Sequence, residues 1–263
     1  MEAFTAAHRG GTGSPLLLLH GFTDTWRTWE LVLPALELRH DVLAPTLAGH
    51  AGGPPLREPV GPALADAVEA AMDEAGWDTA DVAGNSLGGY VALQLAERGR
   101  ARTVTALAPA GGWAPADDSY RDTLAYFEQM QELLAQAAPF ADALVATPEG
   151  RRRATMFTTT NYEHIPADLL AHQIRGAAAC AGAAALIAGA QDEGWPLDVE
   201  RISCPVRIVW GTDDRILPWP GAAAGFREAL PQADWVVLDG IGHCPQLDVP
   251  AETADLIEGF AAG

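Results

Sequence analysis

The chain has 263 residues, 49% of them hydrophobic, which suffices for one large core or for a core domain with an inserted subdomain. Its formal net charge is −19, and all of its lysine-or-arginine positions are arginine. A net negative charge of this size repels nucleic acids and anionic membrane surfaces. Apolar runs such as residues 16–19 are far too short for a membrane span, and the even spread of apolar residues excludes a disordered or fibrous chain.

The first residues contain no charged stretch followed by an apolar one, so we expect no secretory signal and a cytoplasmic location. The three cysteines, Cys180, Cys204 and Cys244, form an odd set without CxxC spacing, which argues against a zinc site or a disulfide framework. Cys244 adjoins His243, but neighbouring side chains on a loop diverge, and we do not expect a thiol nucleophile. We expect neither a metal nor a cofactor.

Short strands and helices alternate over the first hundred residues. Residues 3–8 predict a strand, residues 10–14 a turn, and the apolar run 16–19 a strand covered on both faces. The pattern continues with a helix over 28–36, a strand over 41–44, a loop rich in glycine and proline over 49–55, a helix over 63–75, a strand over 81–83, a helix over 87–98 and a strand over 104–107. This alternation predicts an α/β fold with a mostly parallel, doubly wound sheet.

The alternation stops near Trp113 and resumes after Trp195. The intervening segment is rich in alanine and predicts only helices, with breaks at Pro139, Pro148, Pro166 and Gly182. Beyond it we predict a strand over 206–210, a helix over 221–230, a strand over 235–238 and a helix over 251–261. We therefore predict a core formed by residues 1–112 and 196–263, with residues 113–195 inserted as a helical cap.

A Gly-Asn-Ser-Leu-Gly sequence over residues 84–88 lies where a predicted strand meets a predicted helix. Its glycines allow a sharp turn that lifts Ser86 above the edge of the sheet, with its backbone strained. The helix that begins at Leu87 points free N–H groups at charge that develops beside the serine. In this context the pattern predicts a nucleophilic Ser86. The alternative is a glycine-rich turn with an incidental serine.

A serine hydroxyl is a weak nucleophile, so it needs a base that a third group orients. His243 is the best candidate, because it lies in a glycine-rich loop that directly follows the last predicted strand. The acid should come from the end of the preceding strand, where Asp213 and Asp214 are adjacent. Only one of them can face the imidazole, and the other is a turn-forming residue.

These segments, together with His20-Gly21-Phe22 after a buried strand, resemble the α/β-hydrolase superfamily, in which serine, acid and histidine occur in this order. The resemblance covers nearly the whole chain and implies the α/β-hydrolase fold with a variable helical cap. The family's Gly-x-x-Asp-x-x-x-Pro segment aligns with residues 211–218, which favours Asp214 over Asp213. The resemblance also implies that the amides of Phe22 and Leu87 form an oxyanion hole.

Three departures from the family pattern bear on the chemistry. The N-terminal segment is short for the two antiparallel strands that usually open the fold. Epoxide hydrolases and haloalkane dehalogenases use aspartate where this chain has Ser86, so both of those reactions are disfavoured. The sequence around Ser86, Gly-Asn-Ser-Leu-Gly-Gly over residues 84–89, is similar to that of the carbon–carbon hydrolases of aromatic degradation. The oxyanion loop of those enzymes is rich in glycine, however, whereas residues 22–26 of this chain are Phe-Thr-Asp-Thr-Trp.

We expect a serine hydrolase that cleaves carboxylic esters of small or medium apolar substrates through an acyl-enzyme. Lactone, thioester and carbon–carbon hydrolysis and perhydrolysis use the same triad and stay open, and a non-catalytic small-molecule binding protein is the rival class. We expect a small-molecule ester as partner, no nucleic acid or membrane, and a monomer or homodimer. Arg151–Arg153 predict a charged surface. Candidate pocket residues are Trp26, Trp113, Phe127, Phe157 and Trp219.

Overall fold

A computed structural model describes residues 3–115 and 117–261. Seven strands in these residues form one sheet in the order β1-β3-β2-β4-β5-β6-β7. The strands are β1 (Ala7–Gly10), β2 (Ser14–Leu19), β3 (His40–Pro45), β4 (Ala80–Asn85), β5 (Ala101–Leu107), β6 (Val206–Gly211) and β7 (Asp234–Leu238). Strand β1 pairs antiparallel with β3, and every other pairing is parallel. The predicted α/β class with a mostly parallel sheet is therefore confirmed.

The continuous apolar run in β2 is explained by the burial of both faces of the sheet at this strand. Leu17 and Leu19 belong to the hydrophobic cluster on one face, while Leu16 and Leu18 belong to the cluster on the other. All four side chains are at most 1% exposed. Because a central parallel strand is covered on both faces, it needs apolar residues at every position rather than at alternate ones.

Eleven α-helices are assigned within the described residues. They are α1 (Leu33–Leu36), α2 (Val60–Glu74), α3 (Leu87–Glu97), α4 (Tyr120–Ala137), α5 (Ala141–Val145), α6 (Pro148–Thr155), α7 (Ala167–Ala178), α8 (Ala183–Glu193), α9 (Ala224–Ala229), α10 (Pro245–Asp248) and α11 (Pro250–Glu258). Apolar residues of α2 and α3 belong to one core cluster, and those of α1 and α11 belong to the other. Helices thus cover both faces of the sheet.

Two local predictions near the N-terminus are wrong. The first strand spans Ala7–Gly10 rather than residues 3–8; as an edge strand it alternates between exposed and half-buried positions and has no apolar run to mark it. The predicted helix over 28–36 is instead a 3-10 turn, Trp26–Trp29, followed by the single turn α1, whose second residue is Pro34. Proline lacks the N–H that a continuous helix needs, so α1 starts afresh there.

The segment between β5 and β6 contains α4 to α8, and its breaks fall near the predicted positions. Pro148 is the first residue of α6, while Pro166 and Gly182 are the N-caps of α7 and α8. Pro139 lies in a 3-10 turn, Ala138–Phe140, between α4 and α5. Proline fits the first turn of a helix because the N–H that it lacks would have no partner there.

No single helix in residues 3–115 and 117–261 has both the length and the apolar character to cross a membrane. The pair α7 and α8, bent by 66° at its break, meets the test by length and composition alone. Much of its apolar surface, including Leu169, Leu170 and Leu186, is buried within the protein.

Candidate active site

Ser86 lies in the sharp turn between β4 and α3. Its backbone has φ 55° and ψ −117°, a conformation that few residues other than glycine adopt. The turn is possible because its neighbours lack side chains: a Cβ on Gly84 would lie 2.2 Å from the carbonyl oxygen of Gly88, and a Cβ on Gly88 would lie 2.2 Å from that of Leu19. The glycines therefore allow β2, β4 and α3 to meet at the serine.

His243 and Asp214 are hydrogen bonded to each other and are both buried. Nδ1 of His243 donates to Oδ2 of Asp214 at 2.7 Å. The other carboxylate oxygen of Asp214 accepts the backbone N–H groups of Ile216, at 2.9 Å, and Leu217, at 2.7 Å. These contacts fix the carboxylate and direct the second ring nitrogen, Nε2, away from it. Asp213 is exposed, so Asp214 is the aspartate that faces the imidazole.

Ser86 and His243 both line one cavity at the carboxyl end of the sheet. Among the described residues, the Ser86 hydroxyl makes no hydrogen bond to the imidazole. Catalytic hydrogen bonds are often long or misaligned in an unliganded enzyme and tighten when substrate binds. The arrangement brings a hydroxyl, an imidazole and a carboxylate into one region, as the sequence predicts.

Asn85, which the sequence analysis did not single out, ties this region together. Its Nδ2 donates to the backbone carbonyl of His243 at 2.9 Å and to that of Leu107 at 3.1 Å. Its Oδ1 accepts the side-chain amide of Gln246 at 3.1 Å. A polar residue that precedes the serine in the turn was the available signal, but its partners lie 22 to 161 positions away along the chain.

Asp248 is a second residue that the sequence did not reveal. Its buried carboxylate accepts the backbone N–H groups of Gly242 at 2.7 Å and of Thr160 at 2.8 Å. In addition, the N–H of Cys244 donates to the carbonyl of Thr158 at 2.8 Å. The loop that carries His243 is thus anchored to the chain segment after α6.

The backbone N–H groups of Phe22 and Leu87 have no hydrogen-bond acceptor among the described residues. Leu87 is the first residue of α3, where helical N–H groups have no partner within the helix. The loop of Phe22 is held by His20, whose Nδ1 donates to the carbonyl of Gly21 at 2.7 Å and whose Nε2 accepts the N–H of Leu47 at 2.9 Å. Burial lowers the pKa of His20 well below its ordinary value, so this histidine stays neutral.

Two cavities meet at Phe22, Ser86 and Phe127. We call the first the apolar cavity; its other walls include Leu64, Trp113, Leu124, Leu186, Ile187 and Trp195. We call the second the polar cavity, because its wall contains polar residues, Thr23, Asp24, Thr155, Thr158, Gln173 and His243, among apolar ones such as Met130, Leu134, Leu170 and Ile174. The rings of Phe22 and Phe127 meet edge to face with their centroids 4.9 Å apart. Helix α4, which carries Phe127, thus helps to divide the space beside the serine.

Asp24 in the polar cavity is another residue that the sequence analysis did not identify. Burial raises the pKa of its carboxyl from 3.8 to about 6, although hydrogen bonds from Thr25, Thr28 and Gln173 oppose the rise. The Nε2 of Gln173, on α7, donates to Oδ2 of Asp24 at 3.0 Å. These two residues are 149 positions apart, so only the packing of α7 over the loop brings them together.

The aromatic candidates divide into two groups. Trp113 and Phe127 line the apolar cavity, as predicted. The structure places the other three outside both cavities at Ser86. Trp26 stacks on His8, Phe157 packs against Tyr126, and Trp219 lies between Trp210 and Trp235. An aromatic residue on a loop buries its surface against whatever apolar partner is nearest, and this need not be the substrate site.

The remaining candidates have structural environments. Cys244 is buried, and burial raises the pKa of its thiol well above the ordinary value, so it is a poor nucleophile. Arg152 and Arg153 pair with Glu149 at the surface, while Arg151 donates to the backbone carbonyl of Val145. No group of three or more potential metal ligands occurs in residues 3–115 and 117–261.

Comparisons with known proteins agree with this architecture. A profile of the Alpha/beta hydrolase family matches residues 16–256. The chain is 34% identical over 198 residues to the epoxide hydrolase EphH of Mycobacterium tuberculosis, which covers 75% of this chain and 92% of that protein. It is 31% identical over 266 residues to the pimeloyl-[acyl-carrier protein] methyl ester esterase of Aromatoleum aromaticum, which covers 94% of this chain and 98% of that protein.

Solved structures extend the likeness in fold. A 2-hydroxy-6-oxo-6-phenylhexa-2,4-dienoate hydrolase from Rhodococcus superposes with a TM-score of 0.75 at 21% identity and covers 96% of this chain and 92% of that one. The match in fold, the profile over most of the sequence and relatives above 30% identity lead to one conclusion: the chain belongs to the alpha/beta hydrolase family.

Proposed function

We propose that this protein is a serine hydrolase that cleaves carboxylic esters of small or medium apolar acids through an acyl-enzyme. The observation that carries the proposal is the convergence of Ser86, in its strained turn, with the hydrogen-bonded pair of His243 and Asp214. Two backbone N–H groups, at Phe22 and Leu87, flank the same serine and have no acceptor in the described part of the chain. Nucleophile, base, orienting acid and oxyanion donors are the parts that acyl transfer requires.

In the proposed reaction, Nε2 of His243 takes the proton of Ser86 as the serine oxygen attacks the ester carbonyl. The negative charge passes to the carbonyl oxygen, where the N–H groups of Phe22 and Leu87 stabilise it; one such donor is typically worth about 3 kcal/mol of barrier. His243 then gives the proton to the departing alkoxide, and the alcohol leaves an acyl group on Ser86. A water molecule, deprotonated by His243, then attacks the acyl group by the same steps and releases the carboxylic acid and the free serine.

The pocket residues favour an apolar acyl group. Most side chains that line the apolar cavity are aliphatic or aromatic, as is usual for sites that bind apolar ligands. Because α4 and α8 both contribute to these walls, we propose that the helices between β5 and β6 act as a cap that selects the substrate.

Epoxide hydrolysis is a weaker candidate, even though a relative carries that name. A carboxylate nucleophile opens an epoxide to give an ester, which water can cleave. A serine nucleophile would instead give an ether, which the same base and oxyanion donors cannot hydrolyse. Position 86 of this chain is serine. Carbon–carbon hydrolysis stays the alternative, since the chain is 26% identical to a 2-hydroxymuconate semialdehyde hydrolase.

The proposal is tested with 4-nitrophenyl esters of acetate, butyrate and octanoate, with matched thioesters and lactones, and with a fluorophosphonate probe. We expect ester hydrolysis and labelling of one residue, Ser86, by mass spectrometry of the digested protein. Ser86→Ala should retain less than about 1% of the activity. If Ser86→Ala keeps more than a few per cent, the acyl-enzyme scheme is wrong. A wild-type protein that neither labels nor turns over any of these substrates would instead indicate a binding protein.

A further inference from the structure

In the part of the chain that the structure describes, the polar cavity contains a carboxylate without a cationic partner. Asp24 lines this cavity together with Gln173, and no arginine lies among the described residues that line it. The partners of the carboxylate are the N–H of Thr25, at 2.8 Å, the hydroxyl of Thr28 and the side-chain amide of Gln173. Asp24 is half-buried in the cavity wall and these three partners are neutral, whereas a carboxylate that is largely withdrawn from water is normally paired with a cation.

Gln173 adds a second acceptor to the same place. Its amide nitrogen donates to Asp24 at 3.0 Å, so its carbonyl oxygen is left to accept a hydrogen bond. The pair thus offers the cavity a negative charge and a neutral acceptor, both suited to an N–H donor that carries positive charge. The overall net charge of −19 favours the approach of a cation and opposes that of an anion.

The position of His243 determines which part of an ester meets this pair. The imidazole has to deliver a proton to the departing oxygen, so the leaving group has to lie on the side of His243. His243 lines the polar cavity, whereas the apolar cavity is bounded by Leu87 and Trp113. The acyl chain therefore occupies the apolar cavity, and the alcohol portion extends toward Asp24 and Gln173.

We propose that Asp24 and Gln173 form a binding site for a cationic leaving group, so that the preferred substrates are esters of apolar acids with alcohols that carry an ammonium group. This inference rests on the proposed ester hydrolase activity and adds the leaving-group class to it. A carboxylate on the leaving group is disfavoured by the same charge.

A structural role alone does not account for the ionised form of Asp24. An asparagine could still accept the N–H of Thr25 through its side-chain oxygen, and its neighbour Gln173 could turn its amide to match. The negative charge of Asp24 therefore adds a desolvation cost that a neutral asparagine would not have, and none of its hydrogen-bond partners requires that charge. Groups that cost stability and lie in a reactive cavity are commonly retained for binding or catalysis.

The experiment compares isosteric esters of butyric acid at pH 7.5. The cationic substrate is 2-(dimethylamino)ethyl butyrate, the neutral one is 3-methylbutyl butyrate and the anionic one is 2-carboxyethyl butyrate. For the wild type we expect kcat/KM to be at least about tenfold higher for the cationic ester than for the neutral one, and lowest for the anionic ester. In Asp24→Asn the ratio of cationic to neutral should fall to about one, while hydrolysis of the neutral ester persists.

The matched control is Asp168→Asn, which removes the same charge from an exposed position on the same helix as Gln173. It should keep the wild-type ratio. If the ratio of kcat/KM between the cationic and the neutral ester is near one in the wild type, or is unchanged in Asp24→Asn, the leaving-group proposal is wrong. Hydrolysis of the neutral ester would in that case still support the proposed esterase activity.

A binding measurement separates the two proposals if no ester is turned over. We expect 2-(dimethylamino)ethanol at millimolar concentration to raise the Tm of the wild type by a degree or more, and 3-methylbutanol not to do so. The shift should be absent in Asp24→Asn and present in Asp168→Asn. Equal shifts with both alcohols, or a shift that survives Asp24→Asn, would refute the cation site whatever the fate of the esterase.

Discussion

Nδ2 of Asn85 donates a hydrogen bond to the backbone carbonyl of His243 at 2.9 Å, so the residue before Ser86 holds the loop that carries His243. Removing this amide would leave the buried carbonyl of His243 without its donor and loosen the imidazole, whereas the carbonyl of Leu107 would keep the N–H of Ser86. We expect Asn85→Ala to lower kcat about tenfold with little change in KM, because small displacements of a catalytic group are costly. It should also cost about 1–3 kcal/mol of stability.

Steady-state kinetics and chemical denaturation measure these two effects. Gln246→Ala is the informative comparison, since it removes a donor to Oδ1 of Asn85 and leaves the bond to His243 in place. It should lower stability more than activity. Equal losses of kcat in both variants would mean that Asn85 does not act through His243.

Asp214 and Asp213 provide a matched pair that tests the orienting acid. Asp214→Asn should lower kcat on the order of 10⁴-fold, as loss of the orienting carboxylate does in serine proteases. The amide can accept the N–H groups of Ile216 and Leu217, so the fold should persist. Asp213 is exposed and makes no contact with His243, so Asp213→Asn should stay within about twofold of the wild type. A large loss in Asp213→Asn, with activity in Asp214→Asn, would reverse the assignment.

Asp24 should make stability depend on pH. In the folded chain its pKa is raised from 3.8 to about 6, so the fold binds this proton more tightly than the unfolded chain does. Below about pH 3 both states are protonated and the group has no effect. As the pH rises from about 3 to beyond 6, the folded state is penalised by up to about 3 kcal/mol.

Asp24→Asn should therefore be more stable than the wild type at pH 8 and equal to it at about pH 3. The titratable groups nearest Asp24 include Cys244, whose thiol stays protonated over this range, and His172, which is bound to Thr25. Urea denaturation at several pH values gives the difference, and Asp168→Asn corrects for net charge. A difference that is constant with pH would contradict the raised pKa.

Gly88 has no room for a side chain. A Cβ there would lie 2.2 Å from the carbonyl oxygen of Leu19 and 2.5 Å from that of His20, both of them backbone atoms that cannot turn away. We expect Gly88→Ala to cost at least about 3 kcal/mol and to abolish labelling of Ser86 by a fluorophosphonate. Gly221→Ala is the control, because no atom lies within 4 Å of its Cβ position, and it should behave as the wild type. A fully reactive Gly88→Ala would mean that the turn can rearrange.

The parts of the fold that the sequence predicts best are those with a local physical cause. Strand β2 is covered on both faces and so has leucine at four successive positions, and the turn at Ser86 needs its two glycines. Edge strand β1 lacks such a pattern, and its predicted bounds are wrong. Within the site, the order of serine, aspartate and histidine along the chain predicts the three residues, and the hydrogen bond between His243 and Asp214 shows which of the two aspartates faces the imidazole.

Contacts between distant segments explain what the sequence does not reveal. Asn85 ends β4, Asp248 ends α10 and Asp24 lies in the loop after β2, and no local pattern marks them before the fold supplies their partners. The aromatic residues Trp26, Phe157 and Trp219 have the composition expected of pocket walls, yet each packs against other rings. The face that each helix between β5 and β6 turns toward the site depends on how these helices pack on the sheet. Because they are rich in alanine, their sequences contain little hydrophobic periodicity from which that packing could be predicted.

The residues around Ser86 come from two different parts of the fold, and this separation has an evolutionary consequence. Ser86, Asp214 and His243 all follow strands of the sheet, whereas Phe127 and Gln173 belong to the helices between β5 and β6. If the proposed function is correct, substitutions in α4 or α7 should change which substrates bind without disturbing Ser86, Asp214 and His243. Exchanging this segment between relatives should then change substrate preference and leave the ability to cleave the bond intact.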